Sequence, residues 1–159
     1  MINVLFVCLG NICRSPLAEA IFNKLLDEQG LQDQITCDSA GTGDYHIGAP
    51  PDKRSVAVAQ KYQVPIAHRA RQFSAADFQE FDYILAMDRQ NLNHIRLLKQ
   101  GQPEHQYQLF LIREFEHKPA SLDVPDPYWS EADGFEQVYQ ILNRACTRLL
   151  VHIRAEHQL

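Results

Sequence analysis

Four short apolar runs, separated by segments with helical spacing, constrain the fold of this chain most strongly. They cover residues 3–8, 35–40, 83–87 and 108–112, and the first is a Val-rich run typical of a strand buried on both faces. Between the runs, apolar residues recur three or four positions apart, which is the pattern of amphipathic helices. Strands that alternate with helices predict an α/β fold in which helices cover both faces of a parallel sheet.

Several of the expected helices have recognisable boundaries. One should begin at Asp52, and the helix behind the third strand is marked by Leu92, Ile95 and Leu98. Asp133 and Glu136 have the spacing of a capping box, in which an acidic N-cap is followed three residues later by glutamate. This pair predicts the start of a long helix with the apolar stripe Phe135, Val138, Leu142, Leu149 and Ile153.

Length and charge limit the class of protein. A chain of 159 residues predicts a single domain over residues 1–159. Fifteen Lys and Arg against 20 Asp and Glu leave a net charge of -5, which disfavours nucleic acid and anionic membranes as partners. No window approaches the ~18–20 apolar residues of a membrane span, and residues 1–7 lack the basic region that a signal peptide would need.

The cysteine pattern indicates a reduced, cytoplasmic protein. The four cysteines form no CxxC pair, and no histidine lies at zinc-finger spacing from them: Cys8, Cys13, Cys37 and Cys146. We therefore expect no metal site and no disulfide framework. A cysteine with a special role is then expected to be catalytic.

The segment of residues 8–16, CLGNICRSP, combines a nucleophile with an anion site. A strand, a tight loop and a helix N-terminus direct several backbone N–H groups at one point. Gly10 allows the backbone to curl, and Arg14 brings a planar guanidinium to the same anion. These positive groups favour the thiolate form of Cys8, and Ser15 can add a hydrogen bond to its sulfur. Each residue alone has an ordinary structural explanation, but together they predict a cysteine nucleophile beside a bound phosphate.

A second signal is PDPYW at residues 125–129, between the fourth strand and the last helix. This loop also lies at the carboxyl edge of the sheet, where the sites of such folds are found. Asp126 is held between two prolines, rigidly enough to deliver a proton to a leaving oxygen. Asp-Pro dipeptides are also common in turns, so the catalytic interpretation of Asp126 depends on the cysteine loop.

With both loops in place, the chain resembles the low-molecular-weight protein tyrosine phosphatases. The similar segments extend over nearly its whole length: VLFVCLGNICRSPLAEA, DSAGT, YHIGAPPD, ARQ, FDYILAMD and DPYW. VCLGNICRSP combined with DPYW is highly specific for this family. The resemblance implies a three-layer α/β sandwich with a four-stranded parallel sheet, which we expect in the flavodoxin-like order 2-1-3-4.

The resemblance also implies a role for each matching residue. Cys8 would be the nucleophile, Arg14 the phosphate clamp and Asp126 the general acid. Ser15 would stabilise the Cys8 sulfur, and a hydrogen-bond network that holds the loop would be formed by Asn11, Ser39 and His68. The substrate would be bound by loop residues and by aromatic walls, comprising Leu9, Gly10, Ile12, Cys13, Tyr45, Tyr128 and Trp129.

The implied reaction is hydrolysis of phosphotyrosine, and of small aryl phosphates, through a phosphocysteine intermediate. An aromatic slot suits a flat phenyl phosphate, and its depth would keep the shorter phosphoserine away from Cys8. No cofactor and no metal are expected. The expected partners are phosphotyrosine proteins or peptides, with a tyrosine kinase as a further candidate, and the expected state is a monomer or weak dimer.

Other functions on related scaffolds remain to be weighed. A thioredoxin-coupled arsenate reductase needs a cysteine pair after the third strand, and residues 85–98 contain no cysteine. A protein-arginine phosphatase has threonine at the position of Ile12, whose side chain cannot orient water. A phosphocysteine carrier must protect its intermediate from water, whereas Arg14 and Asp126 would promote its hydrolysis. A phosphotyrosine-binding module is excluded only if Cys8 and Asp126 both function.

Cys13 has two interpretations. It lies five residues after Cys8 in a loop that must curl, so an oxidised Cys8 could form a reversible disulfide with it. Alternatively, it packs as a small apolar residue beneath the loop. The spacing leaves both open, and the resemblance favours the redox role, because relatives carry a paired cysteine at this position.

Overall fold

In the part of the chain that the computed structural model describes, residues 1–104 and 106–159, four parallel strands form one sheet. The strands are β1 (Ile2–Cys8), β2 (Ile35–Gly41), β3 (Tyr83–Ala86) and β4 (Gln108–Leu111). Their order is β2-β1-β3-β4, which confirms the predicted fold class and the order 2-1-3-4. The fourth strand ends one residue earlier than expected, because Ile112 begins a short 3-10 helix.

Helices cover both faces of this sheet. They are α1 (Arg14–Glu28), α2 (Lys53–Lys61), α3 (Asp77–Glu80), α4 (Arg89–Lys99) and α5 (Ala132–His157). The larger apolar cluster lies on the face covered by α1, α2 and α5. The smaller cluster lies on the opposite face, where α3 and α4 contribute Phe78, Leu92 and Ile95. Residues 4–8 of β1 are at most 2% exposed, as expected for a strand between two helical layers.

Two features of the predicted helices differ in the structure. Asp133 and Glu136 form no capping box, because α5 begins at Ala132 with Glu131 as its N-cap. The Glu136 carboxylate instead accepts a hydrogen bond from Tyr62 and pairs with Lys61. It therefore contacts the C-terminal end of α2 and does not cap the N-terminus of α5.

The second difference is Leu98, which is 37% exposed although Leu92 and Ile95 are buried. Three residues advance only about 300° around an α-helix, so two such steps rotate Leu98 about 120° away from Leu92.

The predicted start of α2 is correct, since the Asp52 side chain caps it by accepting the Arg54 N–H at 2.9 Å.

The strand order brings distant segments together at one edge. Cys8 ends β1 and pairs with Gly41 at the end of β2, while Val7 pairs with Ala86 at the end of β3. The Val124 N–H donates to the Met87 carbonyl at 2.8 Å, which fastens the loop of residues 123–129 to the same edge. No helix in residues 1–104 or 106–159 is long and apolar enough to cross a membrane.

Candidate active site

A cavity of about 250 Å³ opens at the carboxyl end of β1, where the sequence predicts the site. Its lining includes ten of the predicted site residues: Cys8, Leu9, Gly10, Ile12, Cys13, Arg14, Tyr45, Asp126, Tyr128 and Trp129. The cavity thus joins the cysteine loop, residues 8–13, with the PDPYW loop. The four predicted supporting residues do not line the cavity: Asn11 belongs to the cysteine loop itself, and Ser15, Ser39 and His68 lie around and behind it.

The carbonyl groups of the cysteine loop are bonded to surrounding segments. The Cys8 and Leu9 carbonyls accept N–H bonds from Thr42 and Gly43 at 2.8 and 2.9 Å. The Ile12 carbonyl accepts the Asp52 N–H at 2.8 Å, and the Cys13 carbonyl accepts a hydrogen bond from Ser55 Oγ at 3.0 Å. In a trans peptide the C=O and the following N–H point in opposite directions. The loop N–H groups therefore turn towards the cavity, which makes an anion-binding nest.

Asn11 supplies the left-handed turn that this loop needs, with φ of 57°. Its backbone N–H lies 3.3 Å from Cys8 Sγ, and Ser15 Oγ lies 3.0 Å from the same sulfur. Gly10, expected to provide the curl, has another reason to be glycine. A Cβ atom there would lie 3.0 Å from His46 Cδ2, closer than the ring tolerates without moving.

Arg14 is almost completely buried, and its side chain is anchored from behind. Nη1 donates to Asp88 Oδ2 at 2.7 Å and to the Val124 carbonyl at 3.0 Å, while Nη2 lies 3.6 Å from Asp126 Oδ2. Burial alone would lower the pKa of Arg14, but the charges of Cys8, Asp88 and Asp126 outweigh it and raise this pKa. The guanidinium is therefore a fixed positive charge beside Cys8.

Asp88 was not identified as a site residue from the sequence. It follows β3, caps α4 by accepting the Asn91 N–H at 2.8 Å, and holds Arg14 with its other oxygen. In the sequence, Asp88 follows a predicted buried strand and precedes a predicted helix, which is a position typical of site residues. The same position is also typical of a helix N-cap, so the sequence did not distinguish the two roles. The contact with Arg14 depends on β1 and β3 being neighbours.

Asp126 lies at the mouth of the cavity with its side chain 42% exposed. Its Oδ1 accepts the Tyr128 N–H at 3.1 Å, which fixes the carboxyl relative to the loop. Its Oδ2 is the oxygen that faces Arg14. The structure thus places an orientated carboxyl group on the solvent side of the anion nest.

The predicted supporting residues form one continuous network. Asn11 Nδ2 donates to Ser15 Oγ at 2.8 Å and to Ser39 Oγ at 3.0 Å. The Ser15 hydroxyl, which accepts from Asn11 Nδ2, has both Cys8 Sγ at 3.0 Å and the Ala40 carbonyl at 3.4 Å as acceptors for its own proton. His68 Nε2 lies 2.8 Å from Asn11 Oδ1 and 3.3 Å from Ser39 Oγ.

This network continues into charged residues that the sequence analysis missed. Glu19 Oε1 lies 3.2 Å from His68 Nδ1, and Arg71 donates its backbone N–H to Asn11 Oδ1 at 3.0 Å. Burial raises the pKa of Glu19 to about 7, with a further increase from nearby Asp38 that a Ser39 hydrogen bond opposes. Burial likewise lowers the pKa of His68. In the sequence, Glu19 lies within a predicted helix, and no motif there indicated that it would contact His68.

Aromatic side chains form the rim of the cavity. Tyr45 and Trp129 are 71% and 91% exposed, and the Trp129 ring packs edge-to-face on Tyr128 with centroids 4.8 Å apart. His46, which the sequence analysis did not single out, also lines the cavity, with its ring centroid 6.2 Å from that of Tyr128. Arg54 fixes the base of this wall by donating to the Tyr128 carbonyl at 3.0 Å.

Together these groups provide a sulfur nucleophile, an anion nest with a fixed cation, and a carboxyl group at the mouth. This combination can bind a tetrahedral oxyanion against Cys8 and protonate a group that departs towards solvent. An aromatic rim of this kind can accept a flat apolar substituent on that oxyanion.

The anchoring of Arg14 leads to a stability prediction. Asp88→Asn retains a good N-cap for α4 but leaves the buried guanidinium without its closest counter-charge. We expect the free energy of unfolding to fall by about 3 kcal/mol, as for other broken buried ion pairs. Urea denaturation should measure this loss. Asp123→Asn, at an exposed carboxylate near the same loop, should change it by less than about 0.5 kcal/mol, and equal losses in the two variants would contradict the anchoring role.

Comparison with known proteins was consistent across sequence and structure. A family model described as "Low molecular weight phosphotyrosine protein phosphatase" matches residues 3–159. The chain is 41% identical over 160 residues to the "Low molecular weight protein-tyrosine-phosphatase YfkJ" of Bacillus subtilis, covering 100% of both chains.

Two solved structures are also similar to this one. A protein tyrosine phosphatase from Entamoeba histolytica, with Hepes in its active site, superposes with a TM-score of 0.91 at 37% identity, covering 100% of both chains. A drosophila arginine phosphatase superposes with a TM-score of 0.89 at 33% identity, covering 95% of this chain and 97% of the other.

Proposed function

The chain belongs to the low molecular weight phosphotyrosine protein phosphatase family, whose members are cysteine-dependent hydrolases, and we propose that Cys8, Arg14 and Asp126 carry out its reaction. The observation that carries this assignment is the convergence of these three groups on one cavity. Cys8 Sγ lies beneath inward-facing N–H groups, and Arg14 is fixed beside it by Asp88. Asp126 faces the same guanidinium from the solvent side at 3.6 Å.

The reaction proceeds in two steps. In the first, the Cys8 thiolate attacks phosphorus in line while Arg14 and the loop N–H groups bind the equatorial oxygens. The P–O bond to the tyrosyl oxygen breaks, and Asp126 donates a proton to that oxygen. In the second, the Asp126 carboxylate accepts a proton from water, whose oxygen attacks phosphorus and releases inorganic phosphate and the Cys8 thiolate.

Tyr45, Tyr128 and Trp129 support a preference for phosphotyrosine over phosphoserine. Their rings rise around the mouth of the cavity, and Cys8 at its floor is only 2% exposed. A phenyl ring can stack on these walls while it spans the distance to the floor, whereas a serine ester is shorter by the length of the ring.

A panel of phosphopeptides tests this proposal directly. We expect release of phosphate from phosphotyrosine peptides and para-nitrophenyl phosphate, at least about 100-fold slower release from phosphoserine peptides, and no release by Cys8→Ser. Equal rates on phosphotyrosine and phosphoserine would contradict the deep-cavity argument.

A protein-arginine phosphatase is the second candidate, because a structure of that activity superposes closely on this one. Ile12 lines the cavity at the position where threonine is expected in such enzymes. An isoleucine side chain has no hydroxyl to orient water towards a phosphoramidate, so tyrosine is favoured. Adding a phosphoarginine peptide to the panel separates the two, and a higher kcat/KM on phosphoarginine would select the second candidate.

The role of Asp126 predicts a dependence on the leaving group. Asp126→Asn should slow aryl phosphates with basic leaving groups by about 10²–10⁴, the usual contribution of general acid catalysis. Activated aryl esters should be spared, because their leaving groups need no proton. Plotting kcat/KM against leaving-group pKa for both enzymes measures this, and uniform slowing would show that Asp126 has a structural role only.

Reversible redox control of Cys8 by Cys13 is also part of the proposal. Burial, followed by the charges of Asp52 and Cys8, raises the pKa of Cys13 to about 12, so Cys13 remains a thiol at neutral pH. Peroxide would oxidise Cys8 to a sulfenic acid, and the Cys13 sulfur would then displace water to form a disulfide, which thiols reduce.

Intact-mass analysis after mild peroxide treatment tests this control. We expect a loss of about two mass units mapped to a Cys8–Cys13 peptide, with recovery of activity by added thiol. Cys13→Ser should keep most activity but lose that recovery. Stable addition of oxygen atoms to Cys8 in the unsubstituted enzyme would leave Cys13 as a packing residue.

We further propose a single domain that acts in the cytoplasm as a monomer or weak dimer on phosphotyrosine proteins or peptides, a tyrosine kinase among them. One sheet flanked by helices from both ends of the chain supports the single domain. The cysteine pattern, which has no CxxC pair, supports the reducing compartment. The net charge of -5 argues against nucleic acid and anionic membranes.

A further inference from the structure

The beginning of α2 is bonded to the cysteine loop. The Asp52 backbone N–H donates to the Ile12 carbonyl at 2.8 Å. Ser55, which is completely buried, donates its hydroxyl to the Cys13 carbonyl at 3.0 Å. These two bonds fix the first turn of α2 relative to the loop that holds Cys8.

The same turn also reaches the PDPYW loop, through the side chain of Arg54. Nη2 donates to the Tyr128 carbonyl at 3.0 Å, and Nη1 donates to the Ser130 carbonyl at 3.1 Å. Among the residues that the structure describes, no other hydrogen bond reaches residues 125–130 from outside that segment. Arg54 is therefore the link between this segment and the rest of the site.

This link lies next to the group that orients Asp126. Tyr128 donates its N–H to Asp126 Oδ1 at 3.1 Å, and its carbonyl accepts from Arg54. The other end of the loop is fastened at Val124, whose N–H donates to the Met87 carbonyl at 2.8 Å. Asp126 thus lies between two anchors, and without Arg54 its carboxyl group would be held from the Val124 side alone.

The guanidinium of Arg54 is itself held in one orientation. Its Nε and Nη2 donate to the two oxygens of Asp52, each at 3.0 Å, and this hydrogen bonding lowers the pKa of Asp52 although burial opposes it. Arg54 Cζ lies 4.4 Å from the ring centroid of Phe135, a residue that is 1% exposed.

Four of the five guanidinium N–H groups consequently have partners, two on Asp52 and one on each carbonyl. A planar fork can make these bonds together, whereas the compact ammonium group of lysine cannot. The Arg54 side chain is 38% exposed, and ion pairs at such positions contribute little to the free energy of unfolding. The consequence of these bonds is geometric.

We propose that Arg54 is a positioning residue, which joins α2 and the cysteine loop to the PDPYW loop and thereby sets the position of Asp126 relative to Cys8. This inference rests on the proposed role of Asp126 as the general acid. Proton transfer requires the acid within hydrogen-bond reach of the leaving oxygen, so a small displacement of the loop is enough to impair it.

Arg54→Met tests this role, with Lys53→Met as the matched control on the exposed neighbouring residue of the same turn. Arg54→Met should lower kcat/KM by about 10–100-fold for phenyl phosphate, whose leaving group is basic, and by less than about three-fold for activated aryl esters. Its plot of log kcat/KM against leaving-group pKa should therefore steepen, as for Asp126→Asn. The Lys53→Met plot should coincide with that of the unsubstituted enzyme.

Inhibition by inorganic phosphate separates positioning from a general structural role. Cys8, Arg14 and the loop N–H groups bind the anion, so the inhibition constant should stay within about two-fold in Arg54→Met. Damage to the fold or to the cysteine loop would instead slow all substrates alike and weaken this inhibition. That result would contradict the proposal.

A double-variant cycle shows whether Arg54 acts through Asp126. Adding Arg54→Met to Asp126→Asn should cost less than about three-fold on phenyl phosphate, although the same change costs at least about ten-fold in the unsubstituted enzyme. Losses that multiply in the double variant would overturn the proposal. Uniform slowing of all esters by Asp126→Asn would contradict the general-acid role itself, and this inference with it.

Arg54→Lys keeps the positive charge and provides the test even if Arg54→Met fails to fold. Because an ammonium group cannot bridge Asp52 and two carbonyls, this variant should also steepen the leaving-group plot. An unchanged slope in Arg54→Lys, beside a steepened slope in Asp126→Asn, would overturn the positioning role and leave the proposed function intact.

Discussion

The buried positive charge of Arg14 is the interaction on which the rest of the site depends. A guanidinium that is 2% exposed needs compensating acceptors, and the fold supplies them from two other segments, Asp88 after β3 and the Val124 carbonyl before the PDPYW loop. These contacts fix the orientation of Arg14 before any substrate binds. The face of the guanidinium towards Cys8 is consequently available for an oxyanion without a cost for reorganisation.

The cysteine loop is rigid for a related reason. Four of its six carbonyl groups accept hydrogen bonds from Thr42, Gly43, Asp52 and Ser55. In those peptides the N–H groups point the opposite way. Asn11 holds the one left-handed turn and bonds to both Ser15 and Ser39. A loop held in this way favours the anion over water, because its dipoles already point at the position of the bound charge.

Charge is distributed unevenly through a protein that is acidic overall. The local positive potential of the nest and Arg14 is surrounded by carboxylates with distinct positions: Asp88 behind the guanidinium, Asp126 at the mouth, and Glu19 and Asp38 behind the loop. Asp88 anchors the guanidinium, whereas Asp126 has the position that the proposed proton transfer requires. Burial separates these groups, since Asp126 is partly exposed and Glu19 is enclosed.

Local spacing predicted the α/β class and the cysteine loop with Cys8, Arg14 and Ser15, because these patterns depend on neighbours within a few residues. The catalytic interpretation of Asp126 depended in addition on the cysteine loop, since Asp-Pro pairs are also common in turns. The partners of those residues were decided by tertiary structure. Asp88 reaches Arg14 across 74 positions only because β1 and β3 are adjacent, and Glu19, Asp38 and His68 meet from three separate segments. The capping box predicted at Asp133 did not form, because α5 begins one residue earlier, at Ala132, and the Glu136 carboxylate contacts Lys61 and Tyr62 at the C-terminal end of α2.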